Sequence, residues 1–250
     1  RKGFNDKRGN LFFAITEFIS NYKPKAFLLE NVKNLERHDG GKTFGRIYSE
    51  LDNLGYSVIY RVMNTSDFTD IPQSRERIFI IGFKDESDFN NAKLFRKRDA
   101  KCSTLFEFPE KIKETKSIKQ MLSRVEVEKK YYYTSDTYFW DELKESMKSR
   151  DTVYQWRRKY VRENKSNLCP TLTANMGMGG HNVPIVIDST GGYRKLTPKE
   201  CFRFQGYNSI KLPKISNSSL YKQAGNSVTV PLITRLAESI GSALRAKYDD

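Results

Sequence analysis

Two short, uninterrupted apolar runs constrain the fold of this chain more than any other feature. Residues 26–29 (Ala-Phe-Leu-Leu) and 78–81 (Ile-Phe-Ile-Ile) have the length and composition of strands that are buried on both faces. The alternating pattern over residues 56–62 predicts a third strand. These segments predict a sheet with buried strands in the first third of the chain.

Helical patterns lie before and between these strands. Apolar side chains share one helical face between residues 10 and 22, and Pro24 ends this helix. A second helix is predicted over residues 43–54, with Gly55 at the position that favours a left-handed helix end. The order helix, strand, helix, strand, strand is typical of an open α/β sheet, and the segment has the size of half a doubly wound domain.

Net charge is distributed unevenly along the sequence. The 250 residues carry 44 basic and 30 acidic side chains, a formal net charge of +14. Residues 1–90 have a net charge of only +1, whereas residues 91–170 reach +8. In this second region basic residues cluster with aromatic ones and periodicity is weak, which predicts an irregular domain with a polyanionic partner, above all nucleic acid. A generic lysine-rich surface is the alternative interpretation.

Other classes of protein are disfavoured. No apolar run approaches the ~20 residues of a membrane span, and no signal-peptide pattern opens the chain. The spacing of Cys102, Cys169 and Cys201 argues against a disulfide scaffold, and with two histidines it predicts no metal site. None of the three thiols has neighbours that would lower its pKa, so we expect all three cysteines to be structural.

Charged side chains stand beside two of the predicted strands. Glu30 follows the first apolar run, where open α/β sheets place their ligand crevice, and it is either a ligand-binding group or a capping or salt-bridging one. Arg75 and Arg77 precede the second run and point to one face in an extended chain. Their guanidinium groups suit a phosphate or a base carbonyl, although the position of these arginines alone favours a solvated edge with local ion pairs.

Four motifs in order resemble the cytosine-C5 DNA methyltransferase family. They are Glu30-Asn31-Val32, Gln73-Ser74-Arg75-Glu76-Arg77, the stretch from Arg194 to Tyr207, and Gln223-Ala224-Gly225-Asn226-Ser227-Val228. Within the third, Thr197-Pro198-Lys199-Glu200 is also a capping box that predicts a helix start. Because the motifs cover most of the chain in the family's order and spacing, coincidence is a poor explanation.

The resemblance implies roles for individual residues. Glu30 would contact N3 and the 4-amino group of a flipped cytosine, Arg77 would hold its O2 carbonyl, and Arg75 would orient the site or bind phosphate. Asn31 would shape the turn at the strand end. Residues Asn226, Ser227 and Val228 would line the pocket of the cofactor, S-adenosylmethionine.

DNA recognition would fall to the basic middle region. The candidate DNA contacts are Arg157, Arg158, Lys159, Arg162, the Thr171-Leu172 marker, and Gly179 and Gly180 in a glycine loop that begins at Gly177. A solvated basic face remains an equal explanation for any single arginine.

Two motifs of the family are missing from the 250 residues. Its glycine-rich cofactor turn and its Pro-Cys-Gln nucleophile motif precede the Glu-Asn-Val motif, and the sequence contains neither. The chain therefore resembles the C-terminal portion of such an enzyme, with an incomplete S-adenosylmethionine site. We expect it to be inactive without an N-terminal segment or subunit that carries the nucleophilic cysteine.

The predicted fold class is α/β, a partial Rossmann-like methyltransferase sheet plus a smaller, irregular, mostly β target-recognition domain. The predicted divisions are residues 1–84 (catalytic part), 85–215 (recognition domain) and 216–250 (returning segment and helix). The expected setting is the cytoplasm of a prokaryote with a restriction–modification system, with double-stranded DNA as partner and no membrane. A non-catalytic DNA-binding or regulatory module and a tRNA cytosine methyltransferase relative are the alternatives.

Overall fold

The computed structural model describes residues 7–84, 106–178 and 183–248. By contacts the chain divides into two compact units, one formed by the described parts of 1–63, 76–109 and 235–250, the other by those of 64–75 and 110–234. Residues 64–75 and 216–234 group with the second unit. The predicted domain boundaries at residues 84 and 215 stay a prediction.

The first unit contains the predicted sheet. Its elements are α1 (Lys7–Tyr22), β1 (Ala26–Val32), α2 (Lys42–Asn53), β2 (Tyr56–Asn64), β4 (Glu76–Lys84) and most of α8 (Val230–Tyr248). The strand order is β1-β4-β2, and β1 and β4 are antiparallel. Gly55 follows α2 with a φ of +82°, which confirms the predicted left-handed helix end.

The core of this unit lies between its helices and the central strands. Phe44, Ile47 and Leu51 on α2 are buried against apolar residues of β2 and β4, including Ile78 and Ile80. The apolar run 78–81 is buried as predicted.

The prediction for residues 26–29 was wrong in one respect. These residues are half-buried rather than buried, because β1 lies at an edge of the described sheet and α1 covers it incompletely. An open cavity of about 450 Å³, lined by apolar residues that include Ile15, Phe18, Phe27 and Leu29, separates α1 from β1.

The second unit consists of short elements, in agreement with the weak periodicity of its sequence. They are α3 (Thr65–Phe68), β3 (Gln73–Ser74), α4 (Ile118–Met121), α5 (Trp140–Ser146), β5 (Tyr154–Trp156), β6 (Val161–Glu163), β7 (Cys169–Pro170), β8 (Ile185–Ile187), β9 (Tyr193–Lys195), α6 (Pro198–Arg203) and α7 (Asn217–Asn226). One sheet has the order β6-β5-β8-β9, and β3 pairs in parallel with β7. Thr197 caps α6 in the predicted capping box with Glu200.

Candidate functional site

Glu30 and Arg77 form an ion pair across two antiparallel strands of the first unit. Glu30 is paired with Phe79 and Arg77 with Val32, so the two charged side chains are diagonal neighbours on one face. Arg77 Nε lies 2.8 Å from Glu30 Oε1, and the side chains are 15% and 26% exposed. Partial burial lowers the pKa of Arg77, and the neighbouring Glu30 carboxylate partly opposes this shift.

This pair retains capacity to bind a ligand. Arg77 Nη1 donates to the carbonyl of Glu76 at 2.8 Å, and within the described ranges no hydrogen bond occupies Glu30 Oε2. The pair therefore presents a carboxylate acceptor beside a guanidinium donor, both reachable from solvent. That combination matches the edge of a planar heterocycle that carries an N–H group next to a carbonyl. The adjoining Asn31 side chain accepts from the amide of Val32 at 2.8 Å, which stabilises the strand end.

Arg75 has a different environment from Arg77. It is 3% exposed, and its guanidinium donates to three backbone carbonyls of the second unit. Nη1 donates to Leu172 O at 2.9 Å, and Nη2 donates to Gly225 O at 3.2 Å and to Ser227 O at 2.7 Å. These bonds direct the guanidinium into the protein rather than towards a phosphate in solvent.

The Thr171-Leu172 marker is built into the same region. Thr171 Oγ1 donates to Ser74 O at 2.8 Å. Leu172 is 1% exposed, so its side chain belongs to the core rather than to an outer surface. Gly179 and Gly180, the other predicted members of this group, lie outside the described residues.

The turn from Asn226 to Val228 carries a polar side chain that is available to a ligand. Asn226 is the last residue of α7 and its side chain is exposed. Within the described part of the chain, no hydrogen bond involves its side-chain amide. Ser227 is committed, because its carbonyl accepts from Arg75 and its hydroxyl donates to Ala224 O at 2.9 Å. Val228 is half-buried. A free amide beside a partly exposed apolar side chain fits a ligand with polar and apolar parts, as S-adenosylmethionine is.

The basic candidates Arg157, Arg158 and Arg162 occupy one exposed hairpin. Strands β5 and β6 pair with Gln155 opposite Arg162 and Trp156 opposite Val161. The turn closes through a hydrogen bond from the amide of Arg157 to Tyr160 O at 2.8 Å, and Arg158 has a φ of +60°. All three arginines are exposed, as is Lys159. This arrangement is a short β-ribbon with a positively charged tip.

Neither described cysteine has the properties of a nucleophile. Cys169 and Cys201 are both 0% exposed. Burial raises the pKa of both thiols well above the ordinary value. The structural assignment is therefore confirmed for these two residues, and Cys102 lies outside the described part of the chain.

The second unit contains a buried charge network that was not predicted from the sequence. Arg194 donates through Nη1 and Nη2 to both carboxylate oxygens of Glu200, at 2.9 and 2.8 Å, and through Nε to Asp188 at 3.3 Å. Tyr132 also donates to Asp188, at 2.6 Å. The capping box pointed to Glu200 and the third motif began at Arg194, but neither signal indicated that the Arg194 side chain is buried.

The described residues lack two kinds of feature, a metal-binding cluster and a membrane-spanning helix. No cluster of histidine, cysteine and carboxylate side chains in these ranges is arranged to hold a metal ion. In the same ranges, no helix combines the length and the apolar character needed to cross a membrane.

Comparisons with known proteins agree with these motifs. A family model described as C-5 cytosine-specific DNA methylase matches residues 1–242. Type II methyltransferase M.Bsp6I from Bacillus sp. (strain RFL6) is 51% identical over 244 residues, which are 96% of this chain and 73% of the relative. Type II methyltransferase M.SsoII from Shigella sonnei is 38% identical, and the match covers 98% of this chain but 60% of the relative.

Solved structures show the same fold at low sequence identity. A DNMT2 mutant from Spodoptera frugiperda has a TM-score of 0.65 at 17% identity, over 95% of this chain and 73% of that one. A putative DNA modification methyltransferase encoded within an E. coli prophage has a TM-score of 0.63 at 18% identity, over 96% of this chain and 75% of that one. These likenesses confirm the predicted α/β methyltransferase fold. The family model and the relative from Bacillus show that the chain belongs to the C-5 cytosine-specific DNA methylase family.

Proposed function

We propose that this chain supplies the base-contacting residues and the DNA-recognising region of a cytosine-C5 methyltransferase of a prokaryotic restriction–modification system, acting in the cytoplasm. The observation that carries the proposal is the Glu30–Arg77 pair, which joins an acceptor and a donor within 2.8 Å at the end of a strand. The pair stands in two motifs of the family, and its partial exposure leaves both groups accessible to a base.

The chemistry explains why a carboxylate and a guanidinium are needed together. Methylation at C5 requires a nucleophile to add at C6, which makes the ring electron-rich. Glu30 would bind N3 and the 4-amino group and so favour the protonated ring, while Arg77 would donate to the O2 oxygen on which charge develops. Because N3, the 4-amino group and O2 are all hydrogen-bonded inside the base pair in duplex DNA, the cytosine has to be flipped out before Glu30 and Arg77 can contact them.

The cofactor contacts are assigned to the turn from Asn226 to Val228. S-adenosylmethionine supplies the methyl group when it is bound. The free amide of Asn226 would hydrogen-bond the polar part of this cofactor, and the half-buried Val228 would pack against its apolar surface. The backbone of Ser227 would keep this wall in place, because its carbonyl is held by Arg75.

The attacking thiolate has to come from outside the described residues. Cys169 and Cys201 are buried in the core, and burial raises the pKa of both thiols. The 250 residues contain no Pro-Cys-Gln motif. We therefore propose that methyl transfer requires a further segment or subunit that carries this motif together with the rest of the cofactor site.

A reconstitution experiment tests this proposal. The purified 250-residue chain is assayed for transfer of radiolabelled methyl groups from S-adenosylmethionine to duplex DNA, alone and mixed with the part of the Bacillus relative that lies outside the matching region. We expect no transfer by the chain alone and transfer by the mixture. Transfer by the chain alone that disappears in a Cys102→Ala variant would overturn the proposal that the thiolate comes from another segment. An inactive mixture whose two parts form a complex would overturn the enzyme assignment.

The exposed hairpin of β5 and β6 is the proposed DNA-reading element. A β-ribbon fits the major groove, and its basic tip supplies groups for phosphate or guanine contacts. Arg157 and Arg158 stand at this tip and Arg162 on the second strand. Thr171 and Leu172 would contribute indirectly, by holding the backbone of this region in place. Gly179 and Gly180 would allow close approach to the bases.

Selection from a random duplex library tests recognition independently of catalysis. We expect enrichment of one short motif that contains cytosine, and weaker binding of the selected duplex by Arg157→Gln/Arg158→Gln. Lys129→Gln/Lys130→Gln, exposed lysines outside this hairpin, is the charge-matched control. Preferential binding of tRNA in competition would favour the tRNA-methylating relative, and selective DNA binding without activity on reconstitution would favour a non-catalytic module.

A further inference from the structure

We infer that Arg75 is a positioning residue that locks the recognition segment to the cofactor-facing turn, so that binding of DNA orders that turn. The inference rests on the proposed function, because it takes residues 171–174 as part of the DNA-binding region and residues 225–228 as the cofactor wall. The contacts that carry it all lie within the second unit.

The guanidinium of Arg75 bonds to both segments at once. Its Nη1 donates to Leu172 O, and its Nη2 donates to Gly225 O and Ser227 O, at distances from 2.7 to 3.2 Å. The planar guanidinium has a fixed fork, so one group sets the separation between the carbonyl of Leu172 and those of the turn. Since Arg75 is 3% exposed, water has little access to compete with these carbonyls for the N–H groups of the guanidinium.

Gly225 is a second, independent link between the same segments. A Cβ atom at this position would lie 2.2 Å from the carbonyl carbon and 2.3 Å from the carbonyl oxygen of Thr173. The two backbones are therefore in direct contact, with space for no side chain between them. Displacement of the 172–174 backbone has to be transmitted to the turn, because packed interiors shift as units rather than deform gradually.

A third link fixes the position of Arg75 itself. The short strand β3 pairs in parallel with β7, with Gln73 opposite Cys169. The buried Gln73 side chain accepts from the amide of Leu172 at 3.4 Å and donates to Phe204 O at 2.6 Å. The backbone amide of Arg75 donates to Asn64 Oδ1 at 2.8 Å. The arginine thus acts from a rigid base, which a positioning residue requires.

Hydrogen exchange with the whole 250-residue chain provides the test. The probe is the duplex selected from the random library, and the readout is the exchange rate of amides in residues 223–230 with and without that duplex. In the wild type we expect the duplex to slow this exchange by about fivefold or more, the range of ordinary coupling between sites. In Arg75→Lys, which keeps the charge but not the fork, we expect this slowing to fall below about twofold while the duplex still binds.

Arg203→Lys is the matched control. Arg203 Nη1 also donates to two backbone carbonyls, those of Met121 and Leu122 at 2.9 and 2.7 Å, but neither belongs to residues 171–174 or 225–228. This variant loses an arginine–carbonyl bridge of the same kind, and we expect it to keep the wild-type response to the duplex. An equal loss of the response in both lysine variants would reduce Arg75 to a general stabilising role.

The outcomes separate this inference from the proposed function. A wild-type chain that binds the duplex without any slowing at residues 223–230 overturns the inference alone, and this measurement needs no variant to fold. Equal slowing in the wild type and Arg75→Lys also overturns it. Failure of the wild type to bind duplex DNA at all, in contrast, counts against the proposed function.

Discussion

The molecule contains two carboxylate–guanidinium pairs with similar distances and opposite environments. Glu30 and Arg77 in the first unit lie 2.8 Å apart with side chains that are 26% and 15% exposed. Glu200 and Arg194 in the second unit also lie 2.8 Å apart, but both side chains are 1% exposed. The distance between the charges therefore does not distinguish the two pairs, whereas the number of remaining hydrogen-bonding positions does.

Every acceptor position of the buried pair is occupied. Glu200 accepts from Ser123 and Thr197 amides at 2.7 and 2.8 Å in addition to both terminal nitrogens of Arg194. Burial by itself would raise the pKa of Glu200, yet the hydrogen bonds and charge of Arg194 and the two amides lower it. The Glu200 pair is thus a closed structural element, while the Glu30 pair keeps positions open for a substrate.

The largest expected effect comes from removing one partner of the closed pair. Arg194→Met leaves the carboxylates of Glu200 and Asp188 without their shared cation in a buried site, so we expect the unfolding free energy of this unit to fall by about 3–5 kcal/mol. Urea unfolding followed by tryptophan fluorescence reports this unit, because Trp140 and Trp156 both belong to it. Arg77→Met is the matched variant of the open pair, with an expected loss of about 1 kcal/mol or less by circular dichroism. Equal losses would contradict the distinction.

A substitution in the Glu30–Arg77 pair should lower turnover rather than stability. Glu30→Gln keeps the size of the side chain but removes the charge, so we expect kcat of the reconstituted enzyme to fall by about 10²–10³. The affinity for the selected duplex should change by less than about threefold, because the group acts mainly in the transition state. Single-turnover methyl transfer and gel shift measure the two quantities. Unchanged turnover would remove Glu30 from the catalytic residues, and the neighbouring Glu36→Gln is the control for a general charge effect.

Acid should destabilise the second unit through its buried carboxylates, Asp188 and Glu200. Burial alone would raise the pKa of Asp188, but hydrogen bonds from Tyr132, Thr190 and Gly192 lower it, and the pKa of Glu200 is lowered as well. A carboxylate whose pKa is lowered in the folded state stabilises the fold above its unfolded pKa of about 4, and this contribution is lost as pH falls towards the folded pKa. We expect unfolding free energy to fall below pH ~4, with a slope of up to about 1.4 kcal/mol per pH unit for each such carboxylate.

Tryptophan fluorescence during urea unfolding at several pH values measures this slope. Glu200→Gln should make it shallower, because that variant has one fewer carboxylate that binds a proton on unfolding in acid. A variant with the same acid dependence as the wild type would exclude Glu200 as a source of the effect.

The same contrast explains how much could be predicted from the sequence. Local patterns were sufficient for α2, with its terminal Gly55, and for the capping box at Thr197, because each depends on residues a few positions apart. The apolar run before Glu30 placed this residue at a strand end, whereas β1 continues to Val32. The burial of Arg194 had no such signal, since it depends on Asp188 and Glu200 folding around a residue that looks like any other basic side chain.

Edge effects and long-range packing were similarly hidden. Residues 26–29 read as a buried strand, but whether a strand is central or at an edge depends on neighbours that the run itself does not specify. Leu172 was expected at the DNA surface because of its motif, yet it is 1% exposed. The motif indicated that the position matters without indicating which of its atoms are used.

The smallest expected effect concerns a third pair beside the open one. Lys33, the first residue after β1, contacts Glu76 at the start of β4, with side chains that are 55% and 44% exposed. Solvent screens such a pair and both side chains lose conformational freedom in forming it, so we expect Lys33→Gln to change the unfolding free energy by less than about 0.5 kcal/mol. Turnover of the reconstituted enzyme should stay within about twofold of the wild type. A large loss of stability would show that ion pairs at this end of the sheet stabilise it regardless of exposure. The Glu30–Arg77 pair would then need a structural explanation as well as a catalytic one.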